Sequence, residues 1–220
     1  MTQAGKRWRR VAFGLFLVAA LAACRRPPQG SGVEAAAERK TGPFAELEVQ
    51  GDFEVTVELG RAQHRVSVTA DDNLVGLLRT DSNGRRLHVR FDGDVHPRVR
   101  PRLRIEAPDL VLVRCIGTVD LHASQVRNAR FQLDLRGTGS AMVTGSTQKL
   151  KVFIDGAGTA SLEALAIEEA LVNVSGNGRA DVASPRQLEV ELHGNAAVSY
   201  SGTPRLESTI RDLGKLTRRP

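Results

Sequence analysis

Four arginines alternate with other residues over Arg98-Val99-Arg100-Pro101-Arg102-Leu103-Arg104-Ile105. In extended chain every second side chain faces the same way, so this stretch sets four guanidiniums on one face. Arginine meets carboxylate and phosphate with a two-pronged donor fork, so Arg98, Arg100, Arg102 and Arg104 are candidate binders of anionic groups. The plainer role is a charged strand margin, with Pro97 and Pro101 blocking strand addition. A second set, Asp134, Arg136, Asp155, Glu191 and His193, has the carboxylates and bases that glycan cleavage requires. These act together only if the fold stacks them; otherwise they form a solvated face of mixed charge. Cys115 sits in an apolar alternation with Val113, where a lone cysteine serves as a small core residue rather than a catalytic thiol. The five histidines (His64, His88, His96, His122, His193) fall at no metal-ligand spacing. Neither a metal nor a cofactor is expected, and no catalytic residue is assigned.

What would stack them is a ladder of glycines. Gly117, Gly137, Gly156, Gly176, Gly194 and Gly214 are 20, 19, 20, 18 and 20 residues apart. Four and two residues before the first five stand Val113/Cys115, Leu133/Leu135, Val152/Ile154, Val172/Val174 and Val190/Leu192. Four and six residues after them stand Leu121/Ala123, Ala141/Val143, Ala160/Leu162, Ala180/Val182 and Val198/Tyr200. Apolar residues two apart on both sides of a glycine describe two short strands meeting at a corner. No single such turn can bury its own apolar face, so the turns must stack. The pattern predicts an all-β fold, a parallel β-solenoid with turns of roughly 20 residues, right-handed because strand crossovers are. Gly51 fits the same frame, with Leu47, Val49, Val55 and Val57 around it. The Gly-x-Gly corners are not dinucleotide fingerprints, because no helix follows to receive a pyrophosphate.

Between Gly51 and Gly117 the frame weakens. Asn83-Gly84 ahead of Leu87, Val89 and Phe91 predicts a tight hairpin. The first half is therefore expected to carry antiparallel additions. Leu162–Leu171 has helical propensity, but the strand frame resumes on schedule at Val172, which assigns it to the return of a turn.

The N-terminus carries an address. Lys6, Arg7, Arg9 and Arg10 precede the apolar run Val11–Ala23, too short for a spanning helix and laid out as a secretory signal. The run ends in Leu21-Ala22-Ala23-Cys24, which resembles a bacterial lipobox. That resemblance implies a signal peptide over residues 1–23 and lipidation of Cys24, and Arg25 after it points to the outer membrane. Without Lys6, Arg7, Arg9 and Arg10, 27 of the 31 basic residues remain against 25 acidic, a net of +2 rather than +6. That balance gives no electrostatic footprint for nucleic acid. Residues 24–42 hold little to bury and read as a lipidated cysteine and flexible tether; eighteen residues span roughly 25 Å. The folded domain is expected over 43–220. Trp8 leaves with the signal, so stacking of sugars on tryptophan is not available.

Phe44–Val57 (FAELEVQGDFEVTV), Ala70–Leu77 (ADDNLVGL), the Gly-x-Gly rungs and Val198–Pro204 together resemble the head GIN domain family of auto-transporter adhesins. The resemblance spans about residues 43–214 and implies a secreted or lipid-anchored β-solenoid. It brings no catalytic residues. The departures are at Asn195-Ala196, where a second corner glycine is expected, and at Asp212, where an apolar residue belongs. The leading expectation is a non-enzymatic, lipid-anchored envelope protein whose partners are the membrane and an anionic glycan, lipopolysaccharide or envelope protein. The alternatives are an enzyme or sensor acting on envelope polysaccharide through Asp134, Asp155 or Glu191, and a structural component of the periplasm with no specific ligand.

Overall fold

In the computed structural model, which describes residues 26–219, the chain is almost entirely strand. The N-terminal half holds β1 (Glu34–Arg39), β2 (Glu46–Glu58), β3 (Arg65–Asp71), β4 (Leu78–Ser82), β5 (Arg86–Phe91) and β6 (Arg102–Glu106). The second half holds β7 (Leu112–Gly137), β8 (Ser140–Gly156), β9 (Thr159–Leu162), β10 (Leu165–Gly176) and β11 (Arg179–Val182). It closes with β12 (Gln187–Gly194), β13 (Ala197–Tyr200), β14 (Arg205–Ile210) and β15 (Lys215–Arg218). The described residues contain no α-helix, and the one 3-10 turn is Val75–Leu77. The expected signal peptide over 1–23 and the lipidated Cys24 lie outside the described residues.

From Leu112 onward the strands coil into a parallel β-solenoid of about 5 turns. Each rung lies in register on the next: Val152 pairs with Val172, and Val172 with Val190. The apolar pairs that flank the glycines point inward and are buried, from Val113 and Cys115 to Val190 and Leu192, with Leu121, Ala141, Ala160, Ala180 and Val198 facing them. Leu162–Leu171 is strand rather than helix after a two-residue turn. Leu165, Ile167 and Ala170 are buried there, and rungs on both sides supply the backbone partners that a lone helix-prone segment lacks.

The corner glycines stack as a column. Gly51, Gly117, Gly137, Gly156, Gly176 and Gly194 all have positive φ. A Cβ on Gly137 would lie 2.4 Å from the carbonyl oxygen of Gly117. Positive φ and backbone contact together leave room for glycine alone. Gly214 does not join this column. The last turn spans 18 residues, so register puts Asp212 above Gly194, with φ 60°. Gly214 instead stacks above Ala196, in the column of second glycines Gly139, Gly158 and Gly178. Its 20-residue spacing from Gly194 imitates the period without sharing the position. Ala196 is buried where a second glycine was expected.

Stacking order departs from chain order at the start. The front of β2 pairs with β5 and its back half with β6, so β5 and β6 make one rung on one side. On its other side β2 pairs along its whole length with β7. β3 runs antiparallel to β6, and β1 antiparallel to β3, closing this end. β4 and β5 form the predicted hairpin around Asn83-Gly84.

The segment expected to be a flexible tether is instead built into this cap. Glu34–Arg39 pairs residue for residue with Asp71–Val66 as β1, neither loose chain nor helix. Ahead of it, the carboxylate of Asp71, 0 % exposed, accepts the N–H groups of Gly32, Arg98 and Val99 at 2.7, 3.0 and 3.1 Å. Burial alone would raise this carboxyl, but the three N–H donors outweigh it and hold it below the usual aspartate value. Asn73 accepts from the Ser31 N–H at 3.0 Å and donates to the Gln29 carbonyl at 2.8 Å, while Asp72 accepts the Ser31 hydroxyl. Backbone bonds from Gly30 N–H to His96 and from His96 N–H to Pro28 complete the clasp. The energy comes from backbone satisfaction rather than from apolar burial, which is why a segment with nothing to bury is ordered.

Candidate functional site

The arginine stripe is neither a free anion-binding row nor a sheet margin. β6 holds Arg102 and Arg104 outward between buried Leu103 and Ile105, while Arg98 and Arg100 precede the strand. β6 has β2 on one side and β3 on the other, so it has no open edge. Three of the four guanidiniums are already engaged. Arg100 bridges Asp52 at 2.9 Å and Asp120 at 2.7 Å. Arg102 meets Glu34 at 2.5 Å, and Arg104 meets Glu58 at 2.7 Å and Glu106 at 3.8 Å. The Ser140 hydroxyl and Arg100 hold the Asp120 carboxyl below its ordinary value. Arg98 alone of the four has no acid within ion-pair distance among the described residues, and its backbone serves the Asp71 clasp. The stripe mainly stitches the N-terminal cap to the first rungs.

The carboxylates meant for glycan chemistry are spread along the stack. Asp134 is buried between Arg114 at 2.8 Å and Arg136 at 3.1 Å, so its charge is already neutralised. Asp155 is exposed and stacks in the column Arg136, Asp155, Ser175, His193. Glu191 accepts from the Asn173 side chain at 2.7 Å. It lies two rungs from the strand of Asp155, about 10 Å away at one strand spacing per rung. The geometry does not gather an acid and a base around one bond. Nor does Cys115 supply a nucleophile: burial, helped by Asp134, pushes its thiol up to about 12. Among the described residues no cluster of histidine, cysteine and carboxylate side chains is placed to hold a metal.

A site not anticipated from the sequence lies on the outer face of the longer strands. A groove of about 840 Å³ crosses the rungs from Glu46 and Arg85 to Arg205 and Glu207. Its walls are two outward columns. One runs Arg130, Lys149, Glu169, Gln187, Arg205, and the other Gln132, Lys151, Leu171, Glu189, Glu207. Charge is uneven along it: Arg130, Lys149 and Lys151 lie on adjacent rungs, and beyond them Glu169, Glu189 and Glu207 outnumber Arg205. Lys149 pairs with Glu169 at 2.9 Å, while Arg130 and Lys151 have no acid within ion-pair distance among the described residues. These positions fall seven and five residues before each corner. Carrying the outward columns further from the glycines would have found them.

Comparison with known proteins follows the fold. A search of curated proteins gives no match. Among solved structures, a "putative adhesin" from Bacteroides fragilis superposes with a TM-score of 0.71 at 16% identity, over 87% of this chain and 99% of that one. A "putative adhesin" from Parabacteroides merdae gives 0.58 at 18% identity, over 87% and 98%. A "putative lipid binding protein" from Parabacteroides distasonis gives 0.55 at 18% identity, over 89% and 100%. At these identities the likeness is one of fold. The family model described as "Putative auto-transporter adhesin, head GIN domain" matches residues 43–204, and the chain belongs to that family.

Proposed function

We propose that this chain is a lipid-anchored, non-enzymatic protein of the cell envelope that binds an extended anionic macromolecule along the groove of its solenoid. The observation that carries this reading is the groove, which crosses successive rungs with Arg130, Lys149 and Lys151 clustered on two adjacent rungs near its middle. A groove across stacked strands repeats its contacts about every 4.8 Å, which suits a polymer better than a small molecule. Clustered cations with unpaired members attract carboxylate, phosphate or sulfate groups. An acidic glycan or lipopolysaccharide of the envelope has that chemistry. The anchor is Cys24, and the outer membrane is its site, as the Leu21–Cys24 sequence and Arg25 indicate. The adhesin description of the family supports a binding role over an enzymatic one.

The test is a binding screen of the full chain against lipopolysaccharide and acidic and neutral glycans at low and high salt. Salt-sensitive binding to acidic ligands, lost in the combined variant Arg130→Ser, Lys149→Ser, Lys151→Ser, is expected. Binding that survives this variant, or binding to neutral glycans alone, would move the site elsewhere. Mass analysis of the mature N-terminus, with Cys24→Ser as control, tests the anchor.

A further inference from the structure

The clasp on residues 28–32 fixes how far the domain can stand from its anchor. We infer that the N-terminal cap of the solenoid, built from segment 26–33 and loop 92–98, rests against the lipid surface, and that the β14/β15 end points away from it. The inference rests on the lipid-anchor reading of Cys24.

The argument is one of chain length. Pro28 is already fixed, because its carbonyl accepts the His96 N–H at 2.9 Å. Gly30 is buried, and a Cβ there would lie 2.4 Å from the Asp71 carboxyl carbon, so chain and carboxylate are in contact. Gln29, Gly30, Ser31 and Gly32 each bond to Asp71, Asn73 or His96. Between Cys24 and Pro28 there are four Cα steps, which reach at most about 14 Å even when fully extended. A tether of the length read from composition alone would leave the domain free to roam. The clasp removes most of that freedom.

The direction follows from the strand order. β1 lies at one end of the path β1-β3-β6-β2-β7-β8-β9-β11-β13-β15, and β15 at the other. Nine strand spacings of about 4.8 Å put the two ends about 43 Å apart. The groove lies between them, with Arg130 nearer the anchored side and Arg205 on the distal side. The partner of the cap is therefore the lipid headgroup layer, and the distal rungs face whatever lies beyond it.

Lipidated full-length chain reconstituted into phosphatidylethanolamine–phosphatidylglycerol vesicles with acceptor-labelled headgroups tests this. Single fluorophores are placed through Asp94→Cys in the cap loop or Leu213→Cys at the far end, both exposed positions, while Cys115 is buried. Energy transfer should be several-fold stronger at position 94 than at 213. A long Gly-Ser spacer inserted after Arg25 leaves the folded part untouched and should abolish most of the difference. Asp71→Asn should reduce it in part by loosening the clasp. Equal transfer from both positions, or stronger transfer from 213, overturns the inference while leaving the anchor intact, provided Cys24→Ser releases the chain from the vesicles. If Cys24→Ser stays bound with unchanged transfer, the anchor reading itself fails and the inference with it.

Discussion

The carboxylate of Asp212 accepts the backbone N–H of Gly194 at 3.0 Å, one rung below it, and Asp212 has the left-handed φ that glycine supplies in the six turns beneath. The side-chain bond holds a residue that would otherwise avoid this conformation. Asp212→Ala keeps the strained φ and loses the bond, and should destabilise the final turn by about 1–2 kcal/mol. Asp212→Gly loses the bond but relieves the backbone, and should be milder. Hydrogen exchange over 205–218 would rank the two; equal loss of protection would deny the bond its role.

Gly137 and Gly158, one from each glycine column, predict different responses to one methyl group. Gly137→Ala combines a φ of 126° with a Cβ 2.4 Å from the Gly117 carbonyl oxygen. The rungs must separate, at a cost of about 3 kcal/mol or more. At Gly158 the nearest atom to an added Cβ is 3.4 Å away and φ is not left-handed, so Gly158→Ala should change stability by less than about 1 kcal/mol. Thermal or denaturant unfolding of the two variants checks this directly.

The same columns mark what the sequence made legible. Gly117 through Gly194 could be aligned because backbone contact excludes every other residue, and the inward pairs from Val113/Cys115 to Val190/Leu192 because burial demands apolar side chains. Gly214 was misplaced because an 18-residue turn lets two different columns share a 20-residue spacing. β1 was illegible because Glu34-Ala35-Ala36-Ala37-Glu38-Arg39 contributes backbone bonds and little apolar burial. The acids that neutralise Arg100, Arg102 and Arg104 lie as far off in sequence as Glu34, beyond any local pattern. Outward groove positions such as Arg130 and Lys149 accept any soluble side chain, so their types carry no fold signal.

Cys115 gives a pH-dependent outcome. Its thiol is held up to about 12 in the folded chain against an ordinary value near 9. Above pH 9 the unfolded chain releases this proton and the folded chain keeps it, so stability falls as pH rises between about 9 and 12. Below pH 9 the group contributes no slope. Cys115→Ala should flatten this part of the stability–pH curve, and the native thiol should resist alkylating reagents at pH 8 until the chain unfolds.

Asp71 works in the opposite direction. A folded carboxyl below its ordinary value contributes stability above pH of about 4, and that contribution is lost as pH falls through the folded value. Protonation or Asp71→Asn removes acceptor strength from three N–H groups. Exchange of amides 29–33 should then quicken by about tenfold or more while the rungs after Leu112 stay protected. Uniform quickening along the chain would mean that the clasp is part of the global fold.

Serine at Arg100, Arg102 and Arg104 together removes bridges to Asp52, Asp120, Glu34 and Glu58. Each exposed pair contributes at most about 1 kcal/mol, so the expected loss is about 1–3 kcal/mol, confined to the cap. Binding of acidic glycan should fall far less than in the groove variant. The reverse ranking in a side-by-side titration would return the ligand to the stripe.

The position of β2 between β6 and β7 also governs the order in which the molecule can be made. Val55 pairs with Leu103 and with Leu121, so the first-synthesised rung waits for chain made dozens of residues later on both its sides. From about residue 124 on, each rung needs only the one made 18 to 20 residues before it. Loop closure across distant partners is slow, whereas addition to a finished edge is local. A chain made N-terminus first therefore carries an open β2 edge until about residue 124, and from then on coils up nearly as fast as it appears.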